Sequence, residues 1–231
     1  MATESVHQTV IKIVNEVERR LGVRTSSTLT DTKLSNLLLD LLNDIIDEVS
    51  DYGDWQEMFR EVQVTAVSST GTYEAAVSSQ VKNIYEIAWD DDPAPLEVRT
   101  IEDMRRLQRL TSYGKPRQFA VVGVSGVNPK FRVYPVPNSS TISNATTPTF
   151  DIAYYKKPSL YLTSDVSAVP AFPARMLIQG LYAKALLEEN GGEPTREFQT
   201  AEINYQRMRA EALNRFNADT GTDLRVVPRE V

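Results

Sequence analysis

The side chains that most often carry reaction chemistry are scarce in this sequence. One histidine, His7, and no cysteine occur among its 231 residues. Without cysteine there is no thiolate nucleophile, no disulfide, no iron–sulfur ligand set and no cysteine zinc site. A paired-histidine zinc motif needs two imidazoles on one helix face, and a serine triad would have to draw His7 from the first turns of an N-terminal helix, where it reads as a surface residue. The nearest approach to a nucleophile elbow, Gly123-Val124-Ser125-Gly126-Val127, lacks the second glycine at the required spacing and reads as a β-turn. Gly114-Lys115-Pro116 has neither the upstream glycine nor the hydroxyl residue after lysine that a phosphate loop requires. Asp90-Asp91-Asp92 offers carboxylates to a divalent cation. The positions where a calcium loop would place its glycine hold Pro95, Leu96 and Glu97, so the run reads as a solvated acidic turn. Two carboxylates can serve as acid and base of a cell-wall hydrolase, but nothing singles out a pair among the 31 Asp and Glu. The expectation is therefore a non-enzyme, with no catalytic, cofactor-binding or metal-binding residue and no cofactor.

Composition points the same way. The chain is 41% hydrophobic and 24% charged, as a globular protein with a substantial core should be. No apolar run approaches a membrane span, and the start, Met1-Ala-Thr-Glu-Ser-Val-His7, does not read as a secretory leader. Asn138-Ser-Ser and Asn144-Ala-Thr are then polar loop residues rather than glycosylation sites. A net charge of −6 argues against a clamp that neutralises phosphates, while still suiting a wall past which DNA slides.

Hydrophobic spacing predicts helices over 3–22, 31–50, 172–190 and 194–216. In the first, Val6, Val10, Ile13, Val14, Val17 and Leu21 recur three and four apart, and Gly22 is the stop. Thr30 or Asp31 caps the second. Its stripe Leu34, Leu38, Leu41, Ile45, Val49 lies beside a second set, Leu37, Leu39, Leu42, Ile46, which predicts a central helix. Gly191-Gly192 closes the third, and Pro194 suits the first turn of the fourth. Between them, about 57–165, the pattern is β. Strands are predicted over 61–67 and 72–77 as a hairpin through Ser68-Ser69-Thr70-Gly71, then over 81–89, 96–98, 117–124, 130–134 and 150–155. Thr100 opens a short helix, with Asp103 placed to complete its cap. The expected fold is α+β over residues 1–216: an antiparallel bundle of N- and C-terminal helices with an inserted antiparallel β region, followed by an extended arm, 217–231.

Three surfaces stand out. Arg105, Arg106, Arg109, Lys115 and Arg117 concentrate positive charge in an acidic chain. They read either as a solvated helix face or as a subunit contact complementary to Asp90, Asp91 and Asp92. Pro135 to Pro148, with Asn138, Ser139, Ser140, Thr141 and Asn144, reads as a long hairpin tip facing a partner. The arm contains Asp219 and an apolar patch, Leu224-Arg225-Val226-Val227-Pro228, suited to docking by strand addition.

Tyr113-Gly-Lys-Pro-Arg-Gln-Phe-Ala-Val-Val-Gly, Phe131-Arg-Val-Tyr-Pro-Val-Pro, Phe150-Asp-Ile-Ala-Tyr-Tyr-Lys-Lys-Pro and Val169-Pro-Ala-Phe-Pro-Ala-Arg-Met-Leu-Ile-Gln-Gly follow one another in an order that resembles the head-to-tail adaptor (neck or tail tubular) proteins of tailed bacteriophages. The leucine-rich helix before Asp54-Trp55 is similar too, so the resemblance spans roughly 30–216. It implies a homo-oligomeric ring, a dodecamer as a rule, in the neck or tail of a virion assembled in the host cytoplasm. Such a ring binds the portal protein above and a tail or nozzle protein below, and DNA crosses its lumen without specific binding. It further implies that residues 217–231 reach into the portal. Departures from the pattern are the long first helix and the lengthened polar segment before Phe150. A tail completion or terminator protein is the neighbouring expectation.

Overall fold

The computed structural model describes residues 7–89, 92, 94–110, 112–142 and 148–219, with 216–219 in backbone alone. Among them are five helices: α1 Val10–Arg20, α2 Lys33–Tyr52, α3 Ile101–Gln108, α4 Ala174–Glu189 and α5 Arg196–Asp219. There are seven strands: β1 Phe59–Thr65, β2 Thr72–Glu74, β3 Val81–Trp89, β4 Glu97–Val98, β5 Gln118–Ser125, β6 Asn128–Tyr134 and β7 Thr149–Lys156. The fold class is mixed α+β, as expected. The chain divides into two compact units, a helical one from Met1–Glu57 with Pro158–Val231 and a β unit, Met58–Lys157.

In the helical unit, α4 touches α1, α2 and α5, and α1 touches α2. The most connected helix is therefore α4 rather than α2, because its apolar residues lie all round. Met176, Leu177, Ile178, Leu181, Ala183 and Leu186 are all buried. On α2 the inner positions Leu38, Leu42, Ile45, Ile46 and Val49 are buried as the stripe requires, whereas Leu37 is exposed. Gly180 marks the close approach of α4 and α5, since a Cβ there would lie 2.8 Å from the Tyr205 ring. Gly180→Ala should therefore destabilise the protein by about 1–3 kcal/mol despite the better helix propensity of alanine. Urea unfolding checks this; unchanged stability would mean that the ring gives way.

The first helix begins at Val10, not near residue 3; His7 precedes it in non-helical backbone, and residues 1–6 lie outside the described residues. The reason is not local in sequence. The N–H groups of Val10 and Ile11 donate to the carbonyls of Ala168 and Val166, at 2.8 and 3.3 Å, where a longer helix would have supplied a preceding turn. Its end is as expected. Gly22 takes φ +73°, and the Gly22 and Val23 N–H groups donate to the Arg19 and Glu18 carbonyls, a Schellman closure.

The cap of α2 is Thr32, in a reciprocal box with Ser35, rather than Thr30 or Asp31. Asp31 instead folds the loop before it, accepting from the N–H and hydroxyl of both Ser27 and Thr28. Those donors hold its carboxyl well below the usual range. Pro194 stands before the cap of α5, where the Thr195 hydroxyl accepts from the Phe198 N–H. The segment 158–165, expected within the β region, is held in the helical unit by Asn43, whose side chain exchanges two hydrogen bonds with the Tyr161 backbone at 2.9 and 2.8 Å.

The β unit holds two sheets, ordered β1-β7-β3 and β2-β6-β5-β4. The predicted hairpin of β1 and β2 does not form. β1 pairs with β7 and β2 with β6, so Ser68 to Gly71 carries the chain between sheets. Tyr73 fixes this crossing, its hydroxyl bonding the Val67 carbonyl at 3.0 Å and accepting from the Val67 N–H at 3.2 Å. Nor is the β region wholly antiparallel: β4 runs parallel to β5, joined by the crossover through α3. β5 and β6 do form a hairpin, turning at Gly126 with φ +63°, as the β-turn reading expects. Phe119, Phe131 and Val133 of one sheet and Ile87, Trp89, Phe150 and Ile152 of the other share one buried core.

Candidate assembly surfaces

Several ionisable side chains are drawn into folding contacts. In the helical unit Glu18 is fully buried and accepts from the N–H and hydroxyl of Ser26 at 2.7 and 2.6 Å, which ties the loop after α1 back onto that helix. Glu48 of α2 meets Arg209 of α5 at 2.5 Å, Lys184 of α4 at 3.4 Å and the Tyr205 hydroxyl at 3.4 Å. The Arg209 guanidinium also lies 4.0 Å from the Tyr52 ring centre. Burial, with the Glu48 charge beside it, pushes the Tyr205 phenol far above its ordinary pKa. Burial likewise raises the Glu57 carboxyl, against the opposing charge of His7. The Glu48 cluster interlocks three helices and has no signal in sequence beyond Tyr205 and Arg209 standing one helical turn apart.

The expected charge surface is only partly gathered. Asp92 and Lys115 pair within the subunit at 3.2 Å. The Ala94 N–H, then Lys115 and the nearby charge of Arg117, hold the Asp92 carboxyl below its usual range. Arg105 and Arg106 form the last turn of α3, where they favour the helix dipole, and Arg106 approaches Asp103 at 3.9 Å. Arg109 caps the same helix in its backbone. The Thr100 hydroxyl accepts from the Asp103 N–H, as predicted for the start of α3. Asp90 and Asp91 lie outside the described residues.

The polar segment before β7 is a crossover, not a hairpin tip, because β6 and β7 belong to different sheets. At its start Asn138 closes a turn: its side-chain oxygen accepts from the Thr141 N–H and the Ser140 hydroxyl, leaving Ser139 and Ser140 exposed. Asn144 lies outside the described residues, as do Leu224, Arg225, Val226, Val227, Pro228 and the side chain of Asp219.

Two of the hollows among the described residues are shallow. One of about 400 Å³ in the helical unit is lined by Gln179, Tyr182, Arg196, Glu197, Thr200, Ala201 and Asn204. The other, about 250 Å³ in the β unit, is lined by hydroxyls, amides and apolar groups, including Ser69, Thr72, Gln108, Ser112, Tyr113 and Tyr134. The first holds one carboxylate and the second none.

The β unit also exposes apolar side chains in one stretch. β4 covers β5 only at Gln118 and Phe119, after which Val121 and Val124 stand 40% and 70% exposed, and Val127 follows in the turn at 44%. No helix among the described residues is long and apolar enough to cross a membrane.

Residues 8–229 match the family model described as SU10 adaptor protein. No curated protein matches the chain.

Proposed function

We propose that this chain, which belongs to the SU10 adaptor protein family, is a structural protein of a tailed-phage virion, built into a ring between portal and tail. The observation that carries the reading is the span of the family match: residues 8–229 take in both the helical and the β unit, so the whole body and not one module is of adaptor type. A ring subunit works by shape, through two different faces that meet head to tail and close by rotation. In this reading the four long helices form an antiparallel bundle that gives a stiff body, locked by Glu48 and Arg209. The net charge of −6 keeps DNA phosphates from adhering while the duplex passes. A dodecamer, portal above and a tail or nozzle protein below complete the assembly, which is non-enzymatic.

Negative-stain images and light scattering of the purified protein, alone and mixed with portal protein, test this. Closed rings, free or seated on portal, are the expected result. A strict monomer that ignores portal overturns it.

A further inference from the structure

Of the strand edges among the described residues of the β unit, one is guarded least. Natural sheets protect a free edge with charge, proline, shortness or a bulge, because its unpaired N–H and C=O groups otherwise capture another strand. β1 carries Arg60 and Glu61 along its length; β3 carries Lys82 and Glu86 and two register shifts. β2 is three residues long and ends on Glu74; β4 is two long and begins on Glu97. Beyond Phe119, β5 reads Ala120-Val-Val-Gly-Val-Ser125, with neither charge nor proline, and its one guard is a register shift between Val121 and Gly123.

The backbone there faces outward. The Phe119 carbonyl accepts from the Arg99 N–H on the β4 side, so two residues on, at Val121, the same side of the backbone points away from β6 and finds no partner among the described residues. Val121 to Ser125 thus leave roughly 17 Å of strand uncovered on that side, interrupted by the shift between Val121 and Gly123. The exposed Val121 and Val124 side chains give an entering strand apolar cover.

We infer that this edge receives Leu224-Arg225-Val226-Val227 from a neighbouring copy as an added strand. The inference rests on the ring reading above. Twelve residues follow the end of α5 at Asp219, and this run is their apolar, β-branched part. Its four residues fit within the five positions of the edge, and Pro228 ends the pairing, since it has no N–H to donate. An uncharged edge imposes no like-charge clash on Arg225. Edge and tail are different surfaces, so each copy gives one strand and takes one, which is the head-to-tail relation a ring needs.

Two full-length variants test it. Val121→Pro removes an outward N–H without touching the β6 ladder, and Val226→Pro removes a donor from the tail. Wild type is expected to form oligomers, each variant alone to be monomeric, and an equal mixture to yield a species of twice the chain mass. In that species the intact tail of the first variant fills the intact edge of the second. The mixture also reports folding, because a misfolded variant could not complement; Val124→Lys, on a 70%-exposed side chain, is the second edge variant. Monomers in the mixture, a wild-type chain that never associates, or variants that assemble as wild type does would each overturn the inference. If the Val226→Pro chain still forms rings on portal as readily as wild type, this inference falls and the adaptor reading stands. If it forms free rings but no longer binds portal, the tail belongs to portal and the β5 edge loses this occupant.

Discussion

Phe150→Ala is expected to cost about 3–5 kcal/mol, the range for emptying a fully buried aromatic site. Phe150 sits on β7, the middle strand of its sheet, paired with Val64 of β1 and Trp89 of β3. Its ring is wholly buried, with centroids of Tyr73 at 4.8 Å, Trp89 at 5.0 Å and Phe131 at 5.6 Å. Tyr73 and Phe131 come from the opposite sheet, so deletion opens a cavity where the two sheets meet and forfeits three aromatic contacts at once. Trp89 lies against the site and reports it directly. Urea unfolding followed by its fluorescence, in a Trp55→Phe background, should show the midpoint fall sharply. A loss below about 1 kcal/mol would mean that the sheets collapse onto the void.

Trp55→Ala should cost a similar amount, about 3–5 kcal/mol, in the helical unit. Trp55 is fully buried, meets Phe172 edge to face at 5.2 Å, and donates its indole N–H to the Val49 carbonyl at 2.7 Å. That carbonyl lies in the final turn of α2. Truncation therefore leaves a void and removes a buried hydrogen bond. Trp55→Phe keeps much of the ring volume while losing the donor, and should cost distinctly less than the alanine variant. Helical circular dichroism through a urea titration measures both. Equal losses for the two would place nearly all the effect in the hydrogen bond.

These sites show which parts of the fold could be read from residues alone. β3 runs from Val81 to Trp89 as the sequence predicts, and the short helix begins after Thr100 because its cap is encoded within four residues. Gly22 and Gly191-Gly192 end their helices for the same reason: the left-handed backbone they adopt is a local demand. What escaped was set at a distance. The start of α1 depends on the carbonyls of Val166 and Ala168, and no spacing near His7 announces them. Ser68-Ser69-Thr70-Gly71 looks like a hairpin turn because a crossing between sheets uses the same residues, and only the partner strands tell the two apart. Thr30, Asp31 and Thr32 all have side chains able to cap; Ser35, answering Thr32, decides among them. Of the candidate surface residues, Asp92 and Lys115 meet within one copy, while α3 holds its arginines along its own last turn.

The strand order of the first sheet bears on how the chain comes off the ribosome. β1 ends at Thr65, yet its only ladder partner among the described residues, β7, starts at Thr149, and β3 waits for the same strand. Both therefore emerge into the cell without hydrogen-bonding partners and must stay so until the last strand of the unit is synthesised. Such long-range closure is slow compared with helix or hairpin formation and lengthens the interval in which strands can be captured by the wrong neighbour. Charge at Arg60, Glu61, Lys82 and Glu86 disfavours pairing of these two strands with other copies during that interval.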